Sequence, residues 1–121
     1  MNESLKSVLG SSEAYDMSKP SIFIAEGLIM YLGAAGKMKL LRDISEVAAP
    51  GSILILNFIE DVENNSPGAL STAEASSALT DGGWSELTFS RFGDETLNYG
   101  RFPNGKFGPQ PSFSFVVCVK V

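Results

Sequence analysis

The side chains that this sequence offers for chemistry are almost all carboxylates, hydroxyls and amines. None of its 121 residues is histidine, and its single cysteine is Cys118. This composition excludes a disulfide within the chain, a Cys/His zinc site, and any acid, base or nucleophile system that needs histidine. Cys118 lies in an apolar run, residues 115–119, which predicts a buried side chain rather than a reactive thiol. Catalysis must therefore come from carboxylates, Tyr, Lys or the positioning of reactants.

Glu26 is the outstanding candidate among the carboxylates. It follows directly on a short apolar run, residues 22–25, and precedes Gly27. A carboxylate beside a buried strand end loses hydration unless a partner compensates it. Ligands bind beyond the carboxyl ends of parallel strands, because loops diverge there and helix N-termini point inward. The position predicts that Glu26 contacts a ligand, with capping of the segment after Gly27 as the alternative.

Two other residues are candidates on the substrate side of such a crevice. Tyr31, five residues after Glu26, can turn its hydroxyl towards the crevice or pack in the core. Arg101 can grip a carboxylate or phosphate through two parallel hydrogen bonds, or lie exposed in a hairpin. An acidic group follows the second apolar run: Glu60, Asp61 and Glu63. Because its spacing reproduces no calcium loop, we expect a solvated acidic loop and no metal site.

Composition and motifs exclude several function classes. Nine basic and fourteen acidic residues give a net charge of −5, and the Lys and Arg residues are scattered, which argues against nucleic-acid binding. No apolar run approaches the ~20 residues of a membrane span. The first residues carry no basic segment followed by an apolar one, so we expect a cytoplasmic protein. The chain has neither a Gly-x-Gly-x-x-Gly turn nor a phosphate loop, and residues 33–36 are predicted to begin a helix.

The elements that must position these candidates alternate between helix and strand. Residues 3–9 predict a short helix, and residues 22–25 predict a strand covered on both faces. Residues 33–48 show the periodicity of an amphipathic helix that ends at Pro50-Gly51, and residues 53–59 predict a second buried strand. A capping box at Ser71 opens a third helix, and residues 85–92 and 113–121 alternate as two final strands. We predict an α/β fold in one domain, residues 1–121.

The stretch from residue 20 to residue 32 resembles a known family. It reads Pro-Ser-Ile-Phe-Ile-Ala-Glu-Gly-Leu-Ile-Met-Tyr-Leu, and an amphipathic helix, Pro50-Gly51-Ser52 and an apolar strand follow it. This order is similar to that of the leucine carboxyl methyltransferases, which use S-adenosylmethionine. Gly83-Trp84 and residues 99–101, Tyr-Gly-Arg, resemble the carboxyl end of the same family.

The resemblance implies a fold, a cofactor and site residues. The fold is a partial Rossmann-like methyltransferase sheet, with strands that correspond to the family's fourth, fifth, seventh and sixth and with the last strand of the chain antiparallel. S-adenosylmethionine is the implied cofactor, with Glu26 and the adjoining Gly27 as cofactor-binding residues. Tyr31 and Arg101 are the substrate-side candidates. The family's first half, which carries the glycine-rich turn, has no counterpart in these residues.

Two functions from different classes follow. The first is methyl transfer from S-adenosylmethionine to an oxygen, most simply a carboxylate of a small molecule or a protein, which needs no general base because the nucleophile is already ionised. The second is a non-catalytic methyltransferase-fold module that associates through its exposed sheet edge. Since a bare apolar strand favours aggregation, we expect a second copy, a separate amino-terminal half or a rearranged amino-terminal helix to cover that edge.

Overall fold

A computed structural model describes residues 4–60, 69–91 and 113–121. The helices are α1 (Leu5–Gly10), α2 (Gly33–Val47) and α3 (Thr72–Asp81), and a short 3₁₀ helix spans Ile29–Tyr31. The strands are β1 (Ile22–Ala25), β2 (Ile53–Ile59), β3 (Trp84–Arg91) and β4 (Phe113–Lys120). The predicted element order is confirmed, with bounds that differ by two residues or fewer.

The four strands form one sheet in the order β1-β2-β4-β3. β1 and β2 are parallel, whereas β4 is antiparallel to both β2 and β3. Because β3 is antiparallel to β4, it runs in the same direction as β1 and β2. This order and the antiparallel last strand confirm the predicted fold class, in which the strands correspond to the fourth, fifth, seventh and sixth of a methyltransferase sheet.

The core lies between one face of the sheet and the helices. Every second residue of β2 is buried on this face, beginning at Leu54, and β4 adds Val116 and Cys118. α2 packs there through Leu41 and Ile44, because residues three apart on a helix share a face. Trp84, at the start of β3, is 3% exposed and joins the same cluster.

The prediction that β1 is covered on both faces is wrong. Phe23 and Ala25 point to the helices, but Ile22 and Ile24 point to the other face and are each 66% exposed. A continuous apolar run shows only that both sides of a strand are apolar, and not that another element covers each side. Within the described residues, α2 and α3 both pack on the same face. None of the described helices is long and apolar enough to cross a membrane.

Asp43 on α2 fastens α1 to the body of the fold. Its carboxylate accepts a hydrogen bond from the Lys39 ammonium at 2.6 Å and another from the backbone N–H of Leu5, the first residue of α1, at 3.1 Å. The Lys39 hydrogen bond is the main reason that the pKa of Asp43 lies below its usual value, and the Leu5 N–H lowers the pKa further.

We therefore expect Asp43→Asn to lower the free energy of unfolding by about 1 kcal/mol at pH 7. The folded-state pKa is the lower one, so the carboxylate stabilises the fold above the unfolded-state pKa, and this contribution is lost as pH falls through the folded-state pKa. Urea unfolding at pH 7 and near pH 2 measures the difference. Glu13→Gln, at an exposed position, is the control. An equal cost of Asp43→Asn at both pH values would contradict the assignment.

Candidate functional site

Three strands end at the same edge of the sheet. β1, β2 and β3 share one direction, so the residues that follow Ala25, the residue Glu60 and the end of β3 at Arg91 all lie along their carboxyl edge. Loops diverge at such an edge, and ligands of open α/β sheets bind there. The residues along this edge are therefore those to consider for binding and chemistry.

A side chain of β2 holds the turn after β1 in place. The backbone N–H of Gly27 donates to the Asn57 side-chain oxygen at 2.6 Å. Gly27 has a φ of +63°, in the left-handed region that glycine adopts without strain, and a Cβ built there would meet nothing within 4 Å. The glycine is thus required by its backbone conformation, and a side chain at this position costs strain rather than a clash.

Glu26 is presented to solvent by this turn. Its side chain is exposed, so the expectation that burial strips it of water is wrong. The residue before it, Ala25, is buried on the helix side, but β1 is an edge strand of the described sheet and its other face is exposed at Ile22 and Ile24. The carboxylate is exposed at the carboxyl edge of the sheet, where its contact with a ligand stays a prediction.

The structure separates the other candidates. Tyr31 ends the 3₁₀ helix and is 80% exposed, so the core-packing alternative for its ring is wrong. Ile29, two residues earlier, is fully buried and anchors that segment. Arg101 lies outside the described residues, as do Asp61 and Glu63.

Glu60 belongs to a polar cluster that sequence reasoning missed. Its carboxylate, only 15% exposed, pairs with the Arg91 guanidinium at 2.7 Å. The hydroxyls of Thr72 and Ser114 donate to it at 3.3 Å and 3.4 Å. The prediction that Glu60 lies in a solvated acidic loop is therefore wrong. An open cleft of about 290 Å³ lies beside this cluster, lined by Thr72, Phe89, Ser90, Arg91 and Ser114.

The Glu60 cluster has a structural role, because its ion pair and hydrogen bonds connect several secondary-structure elements. It joins the end of β2 to the start of α3 and to both β3 and β4. The sequence does not reveal this cluster, because Arg91 is 31 positions from Glu60 and no local pattern links the two residues. The described residues contain no group of three or more His, Cys, Asp or Glu side chains that could hold a metal ion.

Cys118 does not belong to the candidate site at the carboxyl edge of the sheet. It is fully buried in β4, and burial raises the pKa of its thiol to about 11. A thiol with so high a pKa is protonated at neutral pH and is neither a nucleophile nor a metal ligand. The prediction that Cys118 is a small buried hydrophobic side chain is confirmed.

Comparison with known proteins identifies the fold. No family model matches the chain. An S-adenosylmethionine-dependent methyltransferase from Thermotoga maritima, described as a possible histamine N-methyltransferase, is similar with a TM-score of 0.53 at 12% identity. The match covers 88% of this chain and 58% of that one.

Two further solved structures are similar in fold, and one of them is a methyltransferase. A methyltransferase from Methanosarcina mazei, also dependent on S-adenosylmethionine, has a TM-score of 0.53 at 11% identity, over 93% of this chain and 64% of that one. A possible exported protein from Bordetella parapertussis has a TM-score of 0.54 at 15% identity, over 88% and 42%. The chain thus has a methyltransferase fold and spans about half the length of these structures.

Proposed function

We propose that this chain is the part of an S-adenosylmethionine-dependent methyltransferase that presents Glu26 and Gly27 to the cofactor. The observation that carries the proposal is the turn after β1: an exposed carboxylate at the carboxyl edge of a methyltransferase fold, next to a glycine that is fixed on Asn57. An exposed carboxylate in a fixed turn, with no partner among the described residues, is available to accept hydrogen bonds from a ligand. Gly27 leaves the space beside it open to the ligand.

We further propose that the methyl acceptor is a carboxylate. A carboxylate oxygen of the acceptor attacks the methyl carbon of the sulfonium, the carbon–sulfur bond breaks, and its electron pair stays on the sulfur of S-adenosylhomocysteine. No proton moves, so the step suits a chain without histidine. Alignment of the two reactants and exclusion of water supply the rate. We assign Tyr31 and Arg101 to the acceptor side of the site. Tyr31 is assigned there because its side chain is 80% exposed, so its hydroxyl can turn towards the carboxyl edge of the sheet.

A second candidate is a non-catalytic module with a methyltransferase fold. It associates through the edge of the described sheet at β1, a strand whose Ile22 and Ile24 are each 66% exposed. In this case the 121 residues alone bind no cofactor.

Calorimetric titration with S-adenosylmethionine distinguishes the two candidates. We expect saturable binding that Glu26→Gln weakens about 10- to 100-fold, since a hydrogen bond to a charged group contributes about 1.5–3 kcal/mol. Glu46→Gln, at an exposed position on α2, is the matched control and is expected to bind as the unaltered chain does.

Each other outcome has a definite meaning. No heat of binding up to millimolar cofactor would overturn cofactor binding by this chain and favour the module. Equal affinities for Glu26→Gln and Glu46→Gln would remove Glu26 from the site. If the cofactor binds, transfer of labelled methyl to small carboxylic acids, with the matching amides as controls, tests the acceptor class.

A further inference from the structure

We infer that Asn57 is a positioning residue for Glu26, a role that rests on the proposed function. Asn57 lies on β2, 30 positions from Gly27, yet its Oδ1 accepts the hydrogen bond from the Gly27 N–H at 2.6 Å. In this role the Asn57 side chain does not contact the cofactor itself. It acts through the turn after β1, because it fixes the backbone that carries the Glu26 carboxylate.

Two consecutive residues of β2 hold the chain on either side of Glu26. Leu56 pairs with Ala25, the last residue of β1, and Asn57 binds the Gly27 N–H. The regular pairing of β1 with β2 ends at Ala25, so the side-chain hydrogen bond continues the contact where the backbone ladder stops. Glu26 therefore lies between two tethered neighbours, although its own side chain is exposed.

The Asn57 hydrogen bond selects one backbone conformation of a glycine. Gly27 has a φ of +63°, and glycine adopts positive and negative φ with similar ease. The next buried residue along the chain is Ile29. Without the hydrogen bond, Glu26 could point in many directions, and ordering it when a ligand binds would cost conformational entropy. A turn that is already ordered avoids this cost and binds the ligand more tightly.

An amide has the chemistry that this role requires. Its oxygen accepts from the Gly27 N–H, and the neutral group adds no second negative charge beside Glu26. The bond to Gly27 is the single hydrogen bond of the Asn57 side chain among the described residues. Asn57→Ala therefore removes this hydrogen bond and no other, whereas Asn57→Asp keeps an oxygen that can accept it.

Amide hydrogen exchange of Gly27, followed by NMR, tests the tether without any cofactor. We expect the Gly27 N–H to exchange about 10-fold faster in Asn57→Ala, the order of the equilibrium constant that one hydrogen bond contributes. Asn57→Asp should keep the slow exchange. Thr88→Ala is the control, because Thr88 is exposed on β3, two strands away from β2. If Asn57→Ala does not fold, Asn57→Leu, which has a similar shape and no acceptor, replaces it.

Calorimetric titration with S-adenosylmethionine tests whether the tether acts through Glu26. We expect Asn57→Ala to weaken binding about 10-fold, and Asn57→Asp and Thr88→Ala to weaken it less than about threefold. In the Glu26→Gln chain, Asn57→Ala should cost less than about threefold, because the charged contact that it positions is already absent. Such a dependence of one substitution on the other is the coupling that a double-mutant cycle measures.

Three results would overturn the inference. The first is equal Gly27 exchange in Asn57→Ala and the unaltered chain, which would mean that the hydrogen bond does not fix the turn. The second is an Asn57→Asp chain that keeps slow exchange but binds as poorly as Asn57→Ala, which would place the amide N–H of Asn57 in contact with the cofactor. The third is a loss from Asn57→Ala that is as large in the Glu26→Gln chain.

Absence of cofactor binding by the unaltered chain is a different outcome, which would overturn the proposed function. The exchange rates of Gly27 need no cofactor, so they would still decide whether Asn57 fixes the turn that carries Glu26.

Discussion

Phe58→Ala is expected to lower the free energy of unfolding by about 3–5 kcal/mol, the usual cost of truncating a fully buried phenylalanine. Phe58 lies near the end of β2, is completely inaccessible to solvent, and meets the Phe89 ring edge to face, with 6.4 Å between the ring centroids. The alanine loses the hydrophobic transfer energy of the ring and leaves a cavity beside Phe89 on the helix side of the sheet. A loss of this size is a large fraction of the ~5–15 kcal/mol that holds a domain folded.

Urea unfolding followed by tryptophan fluorescence measures this loss, since Trp84 is the only tryptophan and is buried in the same cluster. Leu28→Ala is the control, because Leu28 is 40% exposed and its truncation should cost less than about 1 kcal/mol. Equal unfolding midpoints for Phe58→Ala and Leu28→Ala would mean that β2 does not pack in the core as described.

The order of helices and strands is predictable from the sequence because its signals are local. Pro50-Gly51 ends α2, Ser71 caps α3 by accepting from the Glu74 N–H at 3.0 Å, and Gly82 follows its last residue. The strand order β1-β2-β4-β3 is not a local property. It followed from a resemblance to a family, and the structure has it.

The exposure of β1 could not be predicted from its sequence. Ile22, Phe23 and Ile24 are all apolar, so the run does not show that a helix covers Phe23 while Ile22 and Ile24 meet solvent. In a strand with one solvent-exposed face, apolar and polar residues alternate, and this alternation shows which face is buried. The sequence of β1 has no such alternation.

Only part of the candidate site can be predicted from the sequence, because local patterns are visible there and contacts between distant residues are not. A glutamate followed by glycine at a strand end marks the turn, so Glu26 and Gly27 stand out in the sequence. The contact between Gly27 and Asn57 spans 30 residues, and the Glu60 cluster draws on four separate elements. The acidic residues that neighbour Glu60 in the sequence predict a solvated loop, whereas its ion-pair partner, Arg91, lies on another strand. Only the folded sheet shows that these residues are neighbours.

Gly82→Ala is expected to cost about 2–4 kcal/mol, because α2 and α3 approach too closely for any side chain at this position. The φ of Gly82 is −80°, so the backbone tolerates alanine, but its Cβ would overlap the Ser45 hydroxyl and lie 2.9 Å from Ser45 Cβ. Moving the Ser45 side chain away would break two hydrogen bonds, since its hydroxyl accepts from the Trp84 indole N–H at 2.9 Å and donates to the Leu41 carbonyl at 2.7 Å. The Lys120 ammonium adds to this junction by donating to the Gly82 and Ser45 carbonyls.

Gly10→Ala is the matched control for Gly82→Ala, since a Cβ at Gly10, the last residue of α1, meets only Met17 at 4.0 Å. This control should be neutral or stabilise the protein by up to about 1 kcal/mol, because alanine has the higher helix propensity and restricts the unfolded chain. Ser45→Gly should relieve the clash, because it removes the two Ser45 atoms that lie within 3.0 Å of the new methyl group and leaves only the Ala78 carbonyl oxygen, at 3.4 Å. In a double-mutant cycle, Ser45→Gly with Gly82→Ala should be at least 1 kcal/mol more stable than the sum of the single effects predicts, the size of coupling that residues in contact show. If the two substitutions are additive, the cost of Gly82→Ala does not come from Ser45, and the close approach of α2 and α3 is not what requires glycine there.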